Sequence, residues 1–404
     1  MKIPFSPPYI DQDIIDEVTH TLESGWITTG PKVKLLEEET AMYSGVEKAV
    51  AVNSATSAMM LVLHWMGITR GDEVILPAYT YCATALAAMH IGATPVMVEI
   101  GPDFNIDPQA IKKAITPKTK AIIAVDLGGW PCDYEAIYAV LAANEIQQMF
   151  APASPQQKQL GRILVMNDAA HSLGARYNHH PVAKAADITV FSLHAVKNVT
   201  SAEGGIICLN LPAPFDNNAV YATMKLWSMN GQTKDALAKS TAGGWQYDIV
   251  YPGFKLNMPD VLAAIGLAQL RKYIATLHAE RKRVVELYHS LFKGKNWAIL
   301  PAFERVGTVP SYHLYLLRIE GANEQQRNQI INKIAEAEVS VNVHFTPLPM
   351  LAVFKEKGYD IANYPIAYQQ YANVITLPVY PQLTTAQITY VAQTVIEATE
   401  SVLD

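Results

Sequence analysis

Between about residues 48 and 210, short apolar runs rich in β-branched residues alternate with segments whose apolar positions recur at helical spacing. The runs KAVAV (48–52), EVIL (73–76), PVMVEI (95–100), KAIIAV (120–125), RILVM (162–166), ITVFSL (188–193) and GIICL (205–209) are almost uninterrupted in hydrophobicity. Strands look like this when both faces of their sheet are covered. Between them, ATSAMMLVLHWMG and YEAIYAVLAAN carry the three-and-four spacing of amphipathic helices. This alternation predicts an α/β sheet. Upstream, IDQDIIDEVTHTLESG places Ile10, Ile14, Val18 and Leu22 on one helical stripe with Gly25 as its stop, which predicts a helical arm.

The rhythm changes past residue 258. MPDVLAAIGLAQLRKYIATLHAERKRVVELYHSLF predicts a long helical stretch that bridges to a second domain. A strand (HLYLLRI, 313–319), a helix (323–338), a strand (SVNVHF, 340–345) and a last helix (385–402) should follow. The expected division is 1–257, the arm and a large domain, and 258–404, the bridging helix and a small domain. The polar, proline-bearing segment QQMFAPASPQQKQLGR (147–162) predicts a surface loop inserted before the next strand.

At 404 residues, half of them hydrophobic and 17% charged, the chain suits a compact enzyme-sized protein of more than one domain. A formal net charge of −6 leaves no basic excess for general nucleic-acid binding. The N-terminus lacks the apolar core of a leader, and no stretch approaches the roughly 18 apolar residues of a membrane span, so a cytoplasmic location is expected. Cys82, Cys132 and Cys208 are too far apart for a metal-binding pair or a disulfide framework, and buried free thiols with no metal are expected. No G-x-G-x-x-G follows a strand and no P-loop occurs, which argues against nicotinamide chemistry and nucleotide hydrolysis.

Three strand exits carry candidate chemistry. In AVNSATSAMMLVL a strand ends at Asn53 and a helix begins among Ser54, Thr56 and Ser57. Free N–H groups and the positive end of a helix dipole suit a phosphate there, although the same hydroxyls also serve as ordinary helix caps. In RILVMNDAAHSLGA, Asp168 stands at the carboxyl end of a strand, where open α/β sheets keep their ligand crevice. It could pair with a protonated heteroaromatic nitrogen or simply cap the next turn; His171 could reach the same crevice or belong to the core. In ITVFSLHAVKNVTSAEGG, Ser192, His194, Lys197 and the run Glu203-Gly204-Gly205 lie between two apolar strands. A lysine so placed is either a solvated loop residue or a Schiff-base amine whose pKa is lowered by burial.

Together the strings LESGWITTGP (22–31), GDEVILPAYTYCAT (71–84), DAAHSLGA (168–175), FSLHAVKNVTSAEGG (191–205) and GFKLNMPDVLAAIGLAQL (253–270) resemble the DegT/StrS family of sugar aminotransferases, in order and over nearly the whole chain. The resemblance implies the aspartate-aminotransferase fold (fold type I), with a large mixed-sheet α/β/α domain that binds pyridoxal 5′-phosphate (PLP) and a smaller C-terminal α+β domain. It implies a ping-pong transfer, through pyridoxamine phosphate, of an amino group from a donor such as glutamate to a nucleotide-linked keto sugar. Residue by residue, Lys197 matches the lysine that carries PLP and Asp168 the carboxylate on its ring nitrogen. Tyr81 matches the aromatic stacked on the ring. Ala55, Thr56, Ser57 and Ser192 fall on phosphate-binding positions, and His171 stands where most members have Gln.

Lys255 replaces an Asn that reaches the phosphate from the partner subunit, and Asn257 stands where an Arg is familiar. A homodimer with active sites at the interface is implied. Trp26, Thr28, Thr29, Lys32, Tyr312, His313 and His344 are substrate-side candidates by position, with plain packing as the alternative. Two rival activities remain: a PLP-type sugar dehydratase, whose known relatives carry His in place of the lysine, and a non-catalytic sugar-nucleotide binder.

Overall fold

A computed structural model describes residues 1–234 and 245–403. Its centre is a seven-stranded sheet in the order β1-β9-β8-β5-β4-β2-β3. The strands are β1 (Lys48–Val52), β2 (Glu73–Pro77), β3 (Thr94–Val98), β4 (Thr119–Val125), β5 (Leu164–Asp168), β8 (Ile188–Ser192) and β9 (Gly205–Leu209). A two-residue hairpin, β6 (Arg176–Tyr177) and β7 (His180–Pro181), lies outside it. Pairs from β3 through β2, β4 and β5 to β8 are parallel, and β9 runs antiparallel to both β8 and β1. All seven apolar runs of the sequence are therefore strands of one mixed sheet.

The apolar runs lack alternation because the sheet is covered on both sides. The helices α3 (Ala55–Trp65) and α4 (Cys82–His90) bury Met59, Leu63 and Ala85 against one face with Val50, Val74 and Ile123. On the other face, α2 (Pro31–Ser44) and the helix Asp260–Lys272 cover Ala49, Phe191 and Ile206. The helices Pro108–Ala114 and Tyr134–Leu141 cover Ile75, Ile122 and Ala124.

The long stretch past residue 258 is helical as expected, but one wide turn, Tyr273–Leu277, joins Asp260–Lys272 to His278–Phe292. It leads to a three-stranded antiparallel sheet, β10 (Ala298–Ile299), β11 (Tyr315–Ile319) and β12 (Val374–Leu377). Helices Glu324–Glu336 and Thr385–Leu403 pack on that sheet through Ile330, Ile334, Val391 and Val395.

Three expectations change. The 147–162 segment is largely helical, with Asn144–Met149 and Pro155–Leu160 flanking a short connection. Its polarity misled because Pro155 sits at a helix N-terminus, where a missing N–H costs nothing, behind the capping oxygen of Ser154. The segment 340–345 is not a strand: it leaves β12 after a single bridge, Asn342↔Thr376, and β12 itself pairs with β11 instead. On the arm helix α1 (Gln12–Glu23), Ile14 is buried while Ile10 and Leu22 stay exposed. The arm is held by ion pairs from Lys272 to Asp11 and Asp13, at 2.9 and 2.6 Å, as well as by its apolar face. Farther upstream, Ile3 exchanges backbone hydrogen bonds of 2.9 Å with Glu338 and Ser340 beside the smaller sheet.

Candidate active site

The ends of β1, β2, β5 and β8 lie on the carboxyl edge of the sheet, and β9, running the other way, begins there. A cavity of about 460 Å³ opens at this edge. It brings together Ala55, Thr56, Tyr81, Asp168, His171, Ser192 and Lys197, with His313 and His344 reaching in from the C-terminal part.

At one end stands the first turn of α3. Ser54 caps it by accepting the Ser57 N–H at 3.1 Å, and its hydroxyl also donates to the Ser57 hydroxyl at 2.9 Å. Ser57 is thus turned into the cap and does not line the cavity. The N–H groups of Ala55 and Thr56 belong to the helix turn that has no intrahelical acceptors, so they and the dipole can hold an anion there. Gly205 makes this arrangement possible: a Cβ on it would stand 2.4 Å from the backbone carbon of Ser54. Ser192 borders the cavity from the end of β8.

At the other end Asp168 is buried, accepting the Thr84 hydroxyl at 2.7 Å and the Ala170 N–H at 3.3 Å. Burial pushes its carboxyl above the usual range, opposed by these two bonds and by the charge of Lys197. Lys197 lies in the loop between β8 and β9. Burial lowers its amine to about 8, with Asp168 pulling the other way. Among the described residues its amine makes no hydrogen bond or ion pair, so it is free to engage a ligand. Tyr81, at the N-cap of α4, is 58% exposed and borders the cavity, where its ring is accessible for stacking.

The histidines carry assignable protons. Gly128 donates its N–H to His171 Nδ1 at 3.2 Å, which leaves the proton of the neutral ring on Nε2. Burial, then Lys197 and His344, hold His171 well below the ordinary histidine value, so it is a neutral donor. Asn198 donates through Nδ2 to the Ser311 carbonyl at 2.9 Å, which fixes its amide. Its oxygen then accepts from His313 Nδ1 at 2.8 Å, leaving His313 Nε2 as an acceptor. His344 is lowered to about 4 by burial and by Lys197, and its Nδ1 has no partner among the described residues.

Other expected residues lie elsewhere in the single chain. Asp260 fixes the 26–33 segment by accepting the N–H groups of Gly30, Lys32 and Val33 at 2.8 to 3.0 Å. Trp26 Nε1 donates to the Thr29 carbonyl, and Lys32 pairs with Glu17. Thr28 accepts the Asp260 N–H through its carbonyl, and Thr29 is buried on the Met258 carbonyl. Tyr312 is buried near His278. Lys255 bridges Met229, and Asn257 donates to the Thr29 hydroxyl. Neither lines the cavity.

Sequence reasoning missed Phe5, Ser6 and Phe345 in the wall, and Thr84 behind Asp168. Phe5 stacks on His344 at 5.5 Å and Ser6 donates to the Val196 carbonyl. These contacts join residues 190 or more positions apart, and no local pattern could show them. Thr84 lies within a string that already marked the site.

A buried carboxyl facing a buried amine, with a helix N-terminus and an open aromatic ring in the same cavity, fits PLP. Asp168 would face the ring nitrogen, Lys197 the aldehyde, His171 the ring oxygen, and α3 the phosphate. Comparisons agree. The profile of the DegT/DnrJ/EryC1/StrS aminotransferase family matches residues 8–396. The spore coat polysaccharide biosynthesis protein SpsC of Bacillus subtilis is 35% identical over 386 residues, 94% of this chain and 93% of the relative. Among solved structures, Spr1654 of Streptococcus pneumoniae, provisionally assigned as a sugar aminotransferase, superposes with a TM-score of 0.95 in its pyridoxamine-phosphate form. That pair is 44% identical over 99% of this chain and 100% of the other. Its PLP form matches with the same TM-score at 42% identity, covering all of both chains. Helicobacter pylori PseC, an aminotransferase of pseudoaminic acid biosynthesis, is 25% identical over 99% of this chain and 100% of its own, at a TM-score of 0.84.

Proposed function

The chain belongs to the DegT/DnrJ/EryC1/StrS aminotransferase family and is a PLP-dependent sugar aminotransferase; we propose that it aminates a nucleotide-linked keto sugar with glutamate as donor and Lys197 as its central group. What carries this reading is that the Lys197 amine and the buried Asp168 carboxyl line one cavity. Lys197 holds the cofactor and Asp168 keeps a proton on the ring nitrogen. Bound PLP supplies an electron sink for negative charge at the substrate carbon.

The chain's own groups do the rest. An amine near 8 is partly unprotonated at neutral pH, so Lys197 Nζ can take a proton from the donor's α-carbon and return one in the second half of the cycle. The Thr84 hydroxyl keeps Asp168 aimed. His171 offers Nε2–H as a neutral donor, and the walls of Phe5, Phe345 and Tyr81 limit water at the reacting atoms.

The names of the Bacillus and Helicobacter relatives, one tied to polysaccharide and the other to pseudoaminic acid biosynthesis, support a sugar acceptor. The runs DAAH, HAVKN…AEGG and GFKLN resemble UDP-4-amino-4-deoxy-L-arabinose aminotransferase, so a UDP-linked 4-keto sugar heads the substrate screen. The reading includes a homodimer in which Lys255 reaches the partner's phosphate end, and a cytoplasmic setting.

The test is the visible spectrum of the purified protein with PLP. A yellow band that fades with glutamate and is absent from Lys197→Ala is expected, followed by a product that has gained nitrogen. A Lys197→Ala variant with undiminished turnover refutes the assignment of the lysine. A deoxygenated product without added nitrogen refutes amination.

A further inference from the structure

A second cavity of about 240 Å³ lies between the two sheets, behind the wall that carries Gly128. Its sides are mostly apolar and aromatic, formed by Phe104, Trp130, Phe303 and Leu316, and one carboxylate, Asp103, also borders it. Among the described residues one cation, Arg318 of β11, borders it, with its guanidinium 5.9 Å from the centre of the Phe104 ring. Its guanidinium makes no hydrogen bond or ion pair with any described residue, while its backbone is paired in the sheet with Ile299 and Val374. Glu320, two residues on, acts on it only through space. The other nearby charges are spoken for: Asp103 stands 3.7 Å from Arg305, and Arg305 donates to the carbonyls of Pro131 and Cys132 at 3.1 Å.

Burial lowers the guanidinium's ordinarily very high pKa somewhat, yet the group stays charged. A half-buried arginine with no anionic partner among the described residues, set against an apolar chamber, has a charge-assisted bond left to offer. We infer that this chamber is a binding site, separate from the catalytic cavity, for a small carboxylate with an aromatic or branched apolar body. The planar guanidinium fork matches a carboxylate, and the rings take the apolar body. A volume of about 240 Å³ suits an amino-acid-sized molecule better than a nucleotide sugar. Leu314 borders both cavities, so the two sites share a wall without sharing an entrance group.

Isothermal titration of the cofactor-loaded protein with phenylacetate, and with the uncharged phenylacetamide, tests the inference. Saturable phenylacetate binding is expected, with the amide weaker by about tenfold or more because it lacks the charge-assisted bond. Arg318→Met should weaken phenylacetate to the same degree. Ala302→Trp, which fills the chamber but keeps the arginine, should remove binding, while Lys197→Ala should leave it intact. Absence of saturable binding, equal affinity for the amide, or loss of binding in Lys197→Ala would each overturn the assignment. The acid–amide comparison needs no variant and stands even if a substitution impairs folding.

Discussion

Lys197 stores a cost that can be measured without any substrate. In the unfolded chain its amine keeps the ordinary value of 10.5, and in the fold burial lowers it to about 8. Between those values the unfolded chain binds the extra proton, so the stability of the cofactor-free protein rises with pH across that window. Below about pH 8 both states are protonated and the full penalty, on the order of 3 kcal/mol, is present. Cofactor-free Lys197→Met should therefore melt at a higher temperature than cofactor-free wild type at pH 7, and the gap should close as the pH approaches 10.5. Identical melting curves throughout that range would show that the amine is not desolvated. The sequence exposed Lys197 and Asp168 because each follows an apolar strand, where a charge needs a reason. It could not expose Phe5, because nothing local links position 5 to His344.

Elements were legible where burial imposes a pattern and illegible where contacts at a distance decide. The seven strands of the large sheet announce themselves because two covered faces require continuous hydrophobicity. The four-residue β12, VITL, is too short to separate from its surroundings. The run SVNVHF alternates like a strand yet turns away into the catalytic wall after one bridge. The 147–162 segment looked dispensable on composition, but Ser154 and Gln157 are buried. Both donate to the Met66 carbonyl, at 2.8 and 3.1 Å, while the Gln157 side-chain oxygen accepts the Ala153 N–H at 2.8 Å. Gln157→Ala removes both side-chain bonds and leaves the Ala153 N–H without its acceptor. It should cost about 1–3 kcal/mol in urea unfolding, with kcat unchanged. A variant as stable as wild type would return the segment to the status of a surface excursion.

At the scale of the whole molecule, the exposed apolar residues and the place of Lys255 lead to one prediction, a homodimer. Ile10, Ile15 and Leu22 lie exposed on or beside α1, Ile27 just after it, and Ile274 just past the helix against which α1 packs; Met42 on α2 is 77% exposed. A solitary soluble chain seldom leaves that many large apolar side chains in water, whereas a two-fold partner would cover them. Lys255 lies outside its own chain's cavity, where Lys197 is the only lysine or arginine among the described residues. A phosphate at α3 would therefore gain its balancing charge from a second chain. Light scattering should give the mass of a dimer. A sharper test pairs Lys197→Ala with Lys255→Ala by co-expression, under limiting cofactor. In the heterodimer one site combines both lesions and the other has neither, so a protein built from two defective chains should recover about half the activity of wild type. If Lys255 serves its own chain, each site keeps one lesion and mixing recovers nothing.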